Sequence, residues 1–114
     1  MEDNTVAREG LAVVLSGAGY DTVTAVDGRQ ALELLRTEPA PALILLDMFL
    51  PVMDGWHFLQ ELRRRGHYPP VIITTGSILT REWARQNGCQ GFLHKPIDET
   101  ALLREIERCL RPAE

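Results

Sequence analysis

The chain alternates between short unbroken apolar runs and longer stretches in which apolar residues recur every three or four positions. Leu43-Ile44-Leu45-Leu46-Asp47 is a run of the first kind. It has no polar face, as expected of a strand covered on both sides in a parallel sheet, and it ends in a carboxylate. Met48 to Gly55 follow at once, and Pro51 with Asp54-Gly55 marks a shaped loop leading into a helix. Val71-Ile72-Ile73-Thr74-Thr75 is a second apolar run with a polar end. Gly91-Phe92-Leu93-His94 is a shorter one closed by Lys95-Pro96. Tyr20 to Val26, alternating and rich in β-branched residues, is predicted as a further strand ahead of Asp27-Gly28.

Between and around these runs the spacing predicts about five helices. Val6, Leu11, Val14 and Leu15 form the first apolar stripe, capped by Asn4 or Thr5 and stopped by Gly17 and Gly19. Ala31, Leu32, Leu34 and Leu35 form the second, which ends before Pro39 and Pro41 because proline disfavours helical geometry in the residue ahead of it. A third starts near Gly55, turns Phe58, Leu59 and Leu62 inward and runs out in Arg63-Arg64-Arg65-Gly66. A short fourth, Arg81 to Asn87, is stopped by Gly88, and a last one on Leu102, Leu103, Ile106 and Leu110 is capped by Asp98. Strand and helix in alternation predict an α/β fold, a parallel sheet with helices on both faces and right-handed crossovers.

Composition adds bounds to this picture. A chain of 114 residues, 45% hydrophobic and 25% charged, is one globular domain that folds on its own core. No apolar run approaches the ~20 residues of a membrane span, and no stretch reads as a signal peptide. A net charge of −4 argues against a nucleic-acid surface, so the one basic run, Arg63 to Arg65, reads as a solvated helix end. Cys89 and Cys109 lack metal or redox spacing and read as reduced residues of a cytoplasmic protein.

The chemistry gathers at the strand ends. In open α/β sheets ligands bind beyond the carboxyl ends of the strands, and Asp47, Thr75 and Lys95 each fall at such an end. Glu2 and Asp3 stand just ahead of the first helix, where another strand end is expected. Three carboxylates within ~5 Å would repel by roughly 3 kcal/mol per pair at an effective dielectric of 20, which invites a cation. Oxygen donors suit Mg2+, whereas Zn2+ prefers His or Cys. With Lys95 beside the metal and Thr75 donating its hydroxyl, the natural chemistry is phosphoryl transfer onto the Asp47 carboxylate. Glycoside hydrolysis also uses two carboxylates, but no insertion here builds a cleft for a sugar.

The sequence resembles a receiver domain of a two-component response regulator. The resemblance rests on Glu2-Asp3 as the acidic pair, Asp47 in LLDMFLPVMDGW, Thr75 in VIITTG and Lys95 in FLHKP, and it covers the whole chain. It implies a flavodoxin-like sheet in the order 2-1-3-4-5, an example the receiver fold itself illustrates. It implies Asp47 as phosphoacceptor, with Thr75 and Lys95 as its catalytic partners. Mg2+ would be held by Glu2, Asp3, Asp47 and the backbone carbonyl of Phe49. Thr75 and Phe92 would be the switch pair, and Lys95-Pro96 a cis peptide. The partners implied are a sensor histidine kinase or a His-containing phosphotransfer protein, and a downstream target met through the fourth helix, the last strand and the last helix. Trp83, on that fourth helix, is read as an indole near the surface available to a partner or to self-association.

The family pattern begins with an apolar strand running into the acidic pair, whereas here Met1 directly precedes Glu2. That first strand is therefore expected to be missing, and residues 1–114 read as a receiver domain truncated ahead of its first helix. The expected function is a phosphorylation-driven signalling switch that catalyses its own phosphotransfer and dephosphorylation without being a classical enzyme. The alternative is a constitutive receiver-like interaction module without phosphotransfer, favoured only if the missing strand disables the acidic pocket.

Overall fold

The computed structural model describes residues 1, 5–48, 55–76 and 79–110. In chain order the elements are α1 (Thr5–Gly17), α2 (Gly28–Thr37), β1 (Ile44–Asp47), α3 (Gly55–Arg64), β2 (Val71–Thr75), α4 (Arg81–Gln86), β3 (Gly91–His94) and α5 (Glu99–Leu110). The strands form a parallel sheet in the order β1-β2-β3. β2 and β3 are in register with Ile72 opposite Gly91 and Thr75 opposite His94. Each crossover carries a helix, as parallel neighbours require. The chain divides into two compact units, Met1–Ala40 with Asp47–Tyr68, and Pro41–Leu46 with Pro69–Glu114.

In the first unit α2 packs on α3, and Ala31 and Leu32 are buried on the one helix and Phe58, Leu59 and Leu62 on the other. These are the apolar stripes the spacing predicts. Asp27 caps α2 by accepting from the Gln30 N–H at 2.8 Å, while Gln30 Oε1 accepts from the Val26 N–H at 2.7 Å. The two residues thus form a capping box that reaches one residue further back than usual. At the end of α3, Glu61 accepts from both Arg64 and Arg65. The Arg64 hydrogen bond first, and then that of Arg65, hold the Glu61 carboxyl down to about 2. The basic run is a solvated helix end paired within its own helix.

One expectation fails in this unit. Residues 20–26 are irregular, not a strand. A strand exists through its ladder, and among the described residues the sheet has no member paired with this segment. Its alternation is therefore spent largely on solvent, with Val23 67% exposed and only Ala25 buried. The expected first helix is present, and of its predicted stripe Leu11, Val14 and Leu15 are half-buried while Val6 is 80% exposed. Helical periodicity makes a face, but only a surface packed against that face makes a core.

The second unit holds most of the sheet. All five positions of β2 are buried, which explains why its sequence shows no alternation. α4 and α5 both pack on β3, with Ala84 and Leu102 each 1% exposed. Thr80 caps α4 through the Trp83 N–H at 3.1 Å, and Asp98 caps α5 through the Ala101 N–H at 2.9 Å. Trp83 is half-buried, and Cys89 and Cys109 form no disulfide. At Gly91 β3 lies close to both β2 and α5. A β-carbon there would lie 2.6 Å from Ile72 Cγ1, 3.0 Å from Cys109 Sγ and 3.2 Å from Glu105 Cγ. Gly91→Ala is therefore expected to overpack the β2–β3–α5 layer and cost about 1 to 3 kcal/mol, read as a lower urea midpoint at unchanged slope.

Candidate functional site

Asp47 is the last residue of β1 and is 3% exposed. Its backbone is anchored on both sides within the first unit. The Asp47 N–H donates to Met1 O at 3.1 Å, and the Gly55 N–H, opening α3, donates to Met48 O at 3.1 Å. A β-carbon on Gly55 would lie 2.7 Å from Met48 Sδ, 2.8 Å from Met48 Cα and 3.1 Å from Asp47 O. Glycine is thus what lets the first turn of α3 sit directly against the peptide that carries Asp47. The DG pair legible in the sequence as a turn has this second role, a close approach of backbone to backbone.

Thr75 closes β2 with no exposed surface, and Lys95 follows directly on β3. The fold brings these two together, since the Lys95 N–H donates to Thr75 O at 2.7 Å. Lys95 itself is half-buried and its peptide bond to Pro96 is cis. The exposed His94 turns Nδ1 to 2.8 Å from Lys95 O, and its ring centroid lies 6.5 Å from that of Phe92 at an interplanar angle of 49°. Glu2, Asp3 and Phe49, read from the sequence as metal ligands, lie outside the described residues. Among the described residues no group of three or more His, Cys, Asp or Glu side chains converges as a metal site. Asp47 contributes a buried carboxylate, a hard oxygen donor of the type Mg2+ takes.

A cluster that sequence reading passed over surrounds Phe92. The Phe92 N–H donates to Glu105 Oε2 at 2.9 Å, and the Phe92 carbonyl accepts from Arg81 Nη2 at 3.2 Å. Arg81 Nη1 also reaches Glu105 Oε2 at 2.8 Å, while Arg108 Nε holds Glu105 Oε1 at 2.7 Å and its Nη2 donates to Gln90 O at 2.6 Å. Glu105 is 7% exposed. Its burial favours the neutral acid. The hydrogen bonds from Arg108, the Phe92 N–H and Arg81, and the charge of Arg81, outweigh that and hold the carboxyl below its ordinary range. The signal available in the sequence was positional: Glu105 falls three residues after Leu102, on the inward stripe of the last helix.

Comparison with known proteins resolves the family. The response regulator receiver domain family model matches residues 1–107. The chain belongs to the response regulator receiver domain family. Among curated relatives, this receiver domain is 37% identical over 112 residues to the transcriptional regulatory protein HprR of Escherichia coli K12, covering 97% of this chain and 50% of that protein. It is 33% identical over 115 residues to the probable transcriptional regulator ycf27 of Cyanophora paradoxa, covering 100% of this chain and 48% of that one. The crystal structure of the receiver domain of NtrX from Brucella abortus superposes with a TM-score of 0.87 at 31% identity, over 98% of this chain and 96% of that one. The chain spans about half the length of the curated relatives just named. Those neighbours share the flavodoxin-like receiver fold, of which the described residues hold three parallel strands and five helices. No helix among the described residues is long and apolar enough to cross a membrane.

The Glu105 cluster sets a pH dependence for this receiver domain. A carboxyl that titrates lower in the folded than in the unfolded chain stabilises fully above its unfolded value, and that stabilisation is lost as pH falls through the folded value. The wild-type urea midpoint is therefore expected to fall on acidification below about 4.5, the ordinary carboxyl value. Glu105→Gln, already weakened at neutral pH by about 1 to 3 kcal/mol, is expected to show a shallower fall.

Proposed function

We propose that this receiver domain is a phosphorylation-driven switch that takes a phosphoryl group from the histidine of a sensor kinase, or of a His-containing phosphotransfer protein, onto Asp47. The observation that carries the reading is the position of the three side chains on the strands: Asp47 ends β1, Thr75 ends β2 and Lys95 follows β3, in a sheet of that order. In a parallel sheet such ends share one edge, and this is where the reading puts the chemistry. A carboxylate oxygen of Asp47 attacks phosphorus in line, the bond from phosphorus to the imidazole nitrogen breaks with its electron pair kept on nitrogen, and the ring, already protonated on its other nitrogen, leaves as neutral imidazole. The Lys95 ammonium and the Thr75 hydroxyl engage the phosphoryl oxygens as charge moves onto them. Mg2+, on Asp47 together with Glu2, Asp3 and the Phe49 carbonyl, supplies charge neutralisation when bound.

The acyl phosphate adds charge and acceptor oxygens beside Thr75, and drawing that hydroxyl inward biases the surface built from α4, β3 and α5. A downstream target, or a second copy of the chain, meets the domain there, with half-buried Trp83 on α4 contributing to the contact. The transcriptional regulators among the relatives fit a chain whose output is carried by further sequence or by a separate protein. The domain works in the cytoplasm, where the histidine-bound phosphoryl group is made.

Asp47→Asn is expected to abolish acyl-phosphate formation from acetyl phosphate and Mg2+ while leaving the fold intact, read by intact-mass measurement and circular dichroism. Normal labelling of that variant would remove Asp47 from the site, and an unlabelled wild-type chain would favour a constitutive module. Lys95→Ala is expected to bind Mg2+ with near wild-type affinity yet leave the amide resonances of α4, β3 and α5 unmoved by phosphodonor. A wild-type response from that variant would contradict the role given to the ammonium.

A further inference from the structure

β3 stands at one end of the described sheet, so its outward peptide groups have no neighbouring strand there to take them. Side chains do so instead. The N–H of Phe92 goes to Glu105 and its carbonyl to Arg81, and the carbonyl of Gln90 goes to Arg108. Arg81 is distinct among these groups because it comes from α4 and not from the helix that already lies along the strand. It is the first residue of α4, directly after the Thr80 cap, and its guanidinium forks between the Phe92 carbonyl at 3.2 Å and Glu105 Oε2 at 2.8 Å. Those two acceptors belong to β3 and to α5, so one side chain joins three elements.

α4 needs such a tie. With six residues it is far shorter than the ~12 to 15 at which a helix becomes even marginal in isolation, and it has one buried residue, Ala84. Its Trp83 is half-buried, and Glu82 pairs with Arg85 along the exposed side. The chain enters α4 from the end of β2, where Thr75 lies, through a connection of five residues, 76–80. Arg81 is therefore the first helical residue after Thr75 in the chain.

We infer that Arg81 is a positioning residue that fastens the start of α4 to the Phe92 peptide and to Glu105, and that a change at Thr75 reaches β3 and α5 through this fork. The second half of the inference rests on the phosphotransfer reading above, and the first half does not. Guanidinium chemistry is required, because an ammonium in the same place is a point charge that satisfies Glu105 without forking to a backbone carbonyl.

The test uses the full chain, as wild type, Arg81→Ala and Arg81→Lys, followed by amide resonances. Without phosphodonor, the amides of Ala84 in α4 and of its C-cap Asn87 are expected to exchange about tenfold faster in Arg81→Ala than in wild type, and by an intermediate factor in Arg81→Lys. The Leu102 amide in α5 should exchange at its wild-type rate in all three. Unchanged α4 exchange in Arg81→Ala overturns the tie. With acetyl phosphate and Mg2+, both variants should take label on Asp47 to the wild-type extent and shift the Thr75 amide. The Phe92 and Ile106 amides should then move in wild type and stay in place in Arg81→Ala. Equal movement at Phe92 in the alanine variant overturns the transmission. A wild-type chain that takes no label sinks the phosphotransfer reading instead, and the exchange measurement still decides whether Arg81 holds α4.

Discussion

The carboxylate of Glu105 is the contact on which the outer side of the second unit depends. A sheet closes only when the peptide groups at its margins find partners, and the Phe92 N–H finds its partner in this one side chain at 2.9 Å. The carboxylate is then left almost without water, at 7% exposure, and two guanidiniums offset that loss. Both guanidiniums are more than half exposed, at 58% for Arg81 and 51% for Arg108, so the cations stay hydrated while only the anion is buried. This division matters energetically. Burying both partners of an ion pair commonly costs more than it returns, whereas a buried anion held by a backbone donor and two solvated cations avoids half of that cost.

An apolar residue of similar size at position 105 would fill the same space against Gly91 and take its acceptor away from the Phe92 N–H. The cluster is therefore best understood as the closure of a strand edge, with electrostatics as its means. It also bears on the site. Lys95 lies three residues beyond Phe92, directly after the same strand, and its N–H is fixed to Thr75 O at 2.7 Å. The strand that delivers the ammonium is thus fixed at two points, by β2 on one side and by Glu105 with Arg81 on the other.

Much of this was legible in the order of residues because it depends on local pattern. The runs ending in Asp47 and Thr75 lack polar positions because β1 and β2 are buried on both faces, and Gly88, with φ of 78°, ends α4 where expected. Asp98 and the stripe of Leu102 and Ile106 gave the last helix directly. What escaped is what depends on a partner supplied from elsewhere in the chain. Tyr20 to Val26 has the composition of a strand and no described ladder to join, so its alternation organises nothing. The stripe on α1 is periodic in the same way, and Val6 still faces solvent. Glu105 escaped for the converse reason, since an acidic residue on an inward stripe reads as an interruption until the backbone donor it serves is in view.

The same distinction explains why the candidate site was legible one residue at a time. Asp47, Thr75 and Lys95 are conspicuous because each interrupts an apolar run at its end, and a strand end is a local property. The peptides that hold them in place are not. Gly55 reads from sequence as half of a turn, and only the 2.8 Å approach of its absent β-carbon to Met48 Cα shows that it lets α3 lie against the backbone of the phosphoacceptor candidate. Gly91 reads as a strand residue of poor propensity, and only the 3.2 Å approach to Glu105 Cγ shows that a side chain there would push the buried carboxylate away from Phe92. In both places a side chain is absent so that a neighbouring backbone or carboxylate can sit close. The identities of the reacting groups are therefore written in the residues that are present, and much of their positioning in the β-carbons that are not.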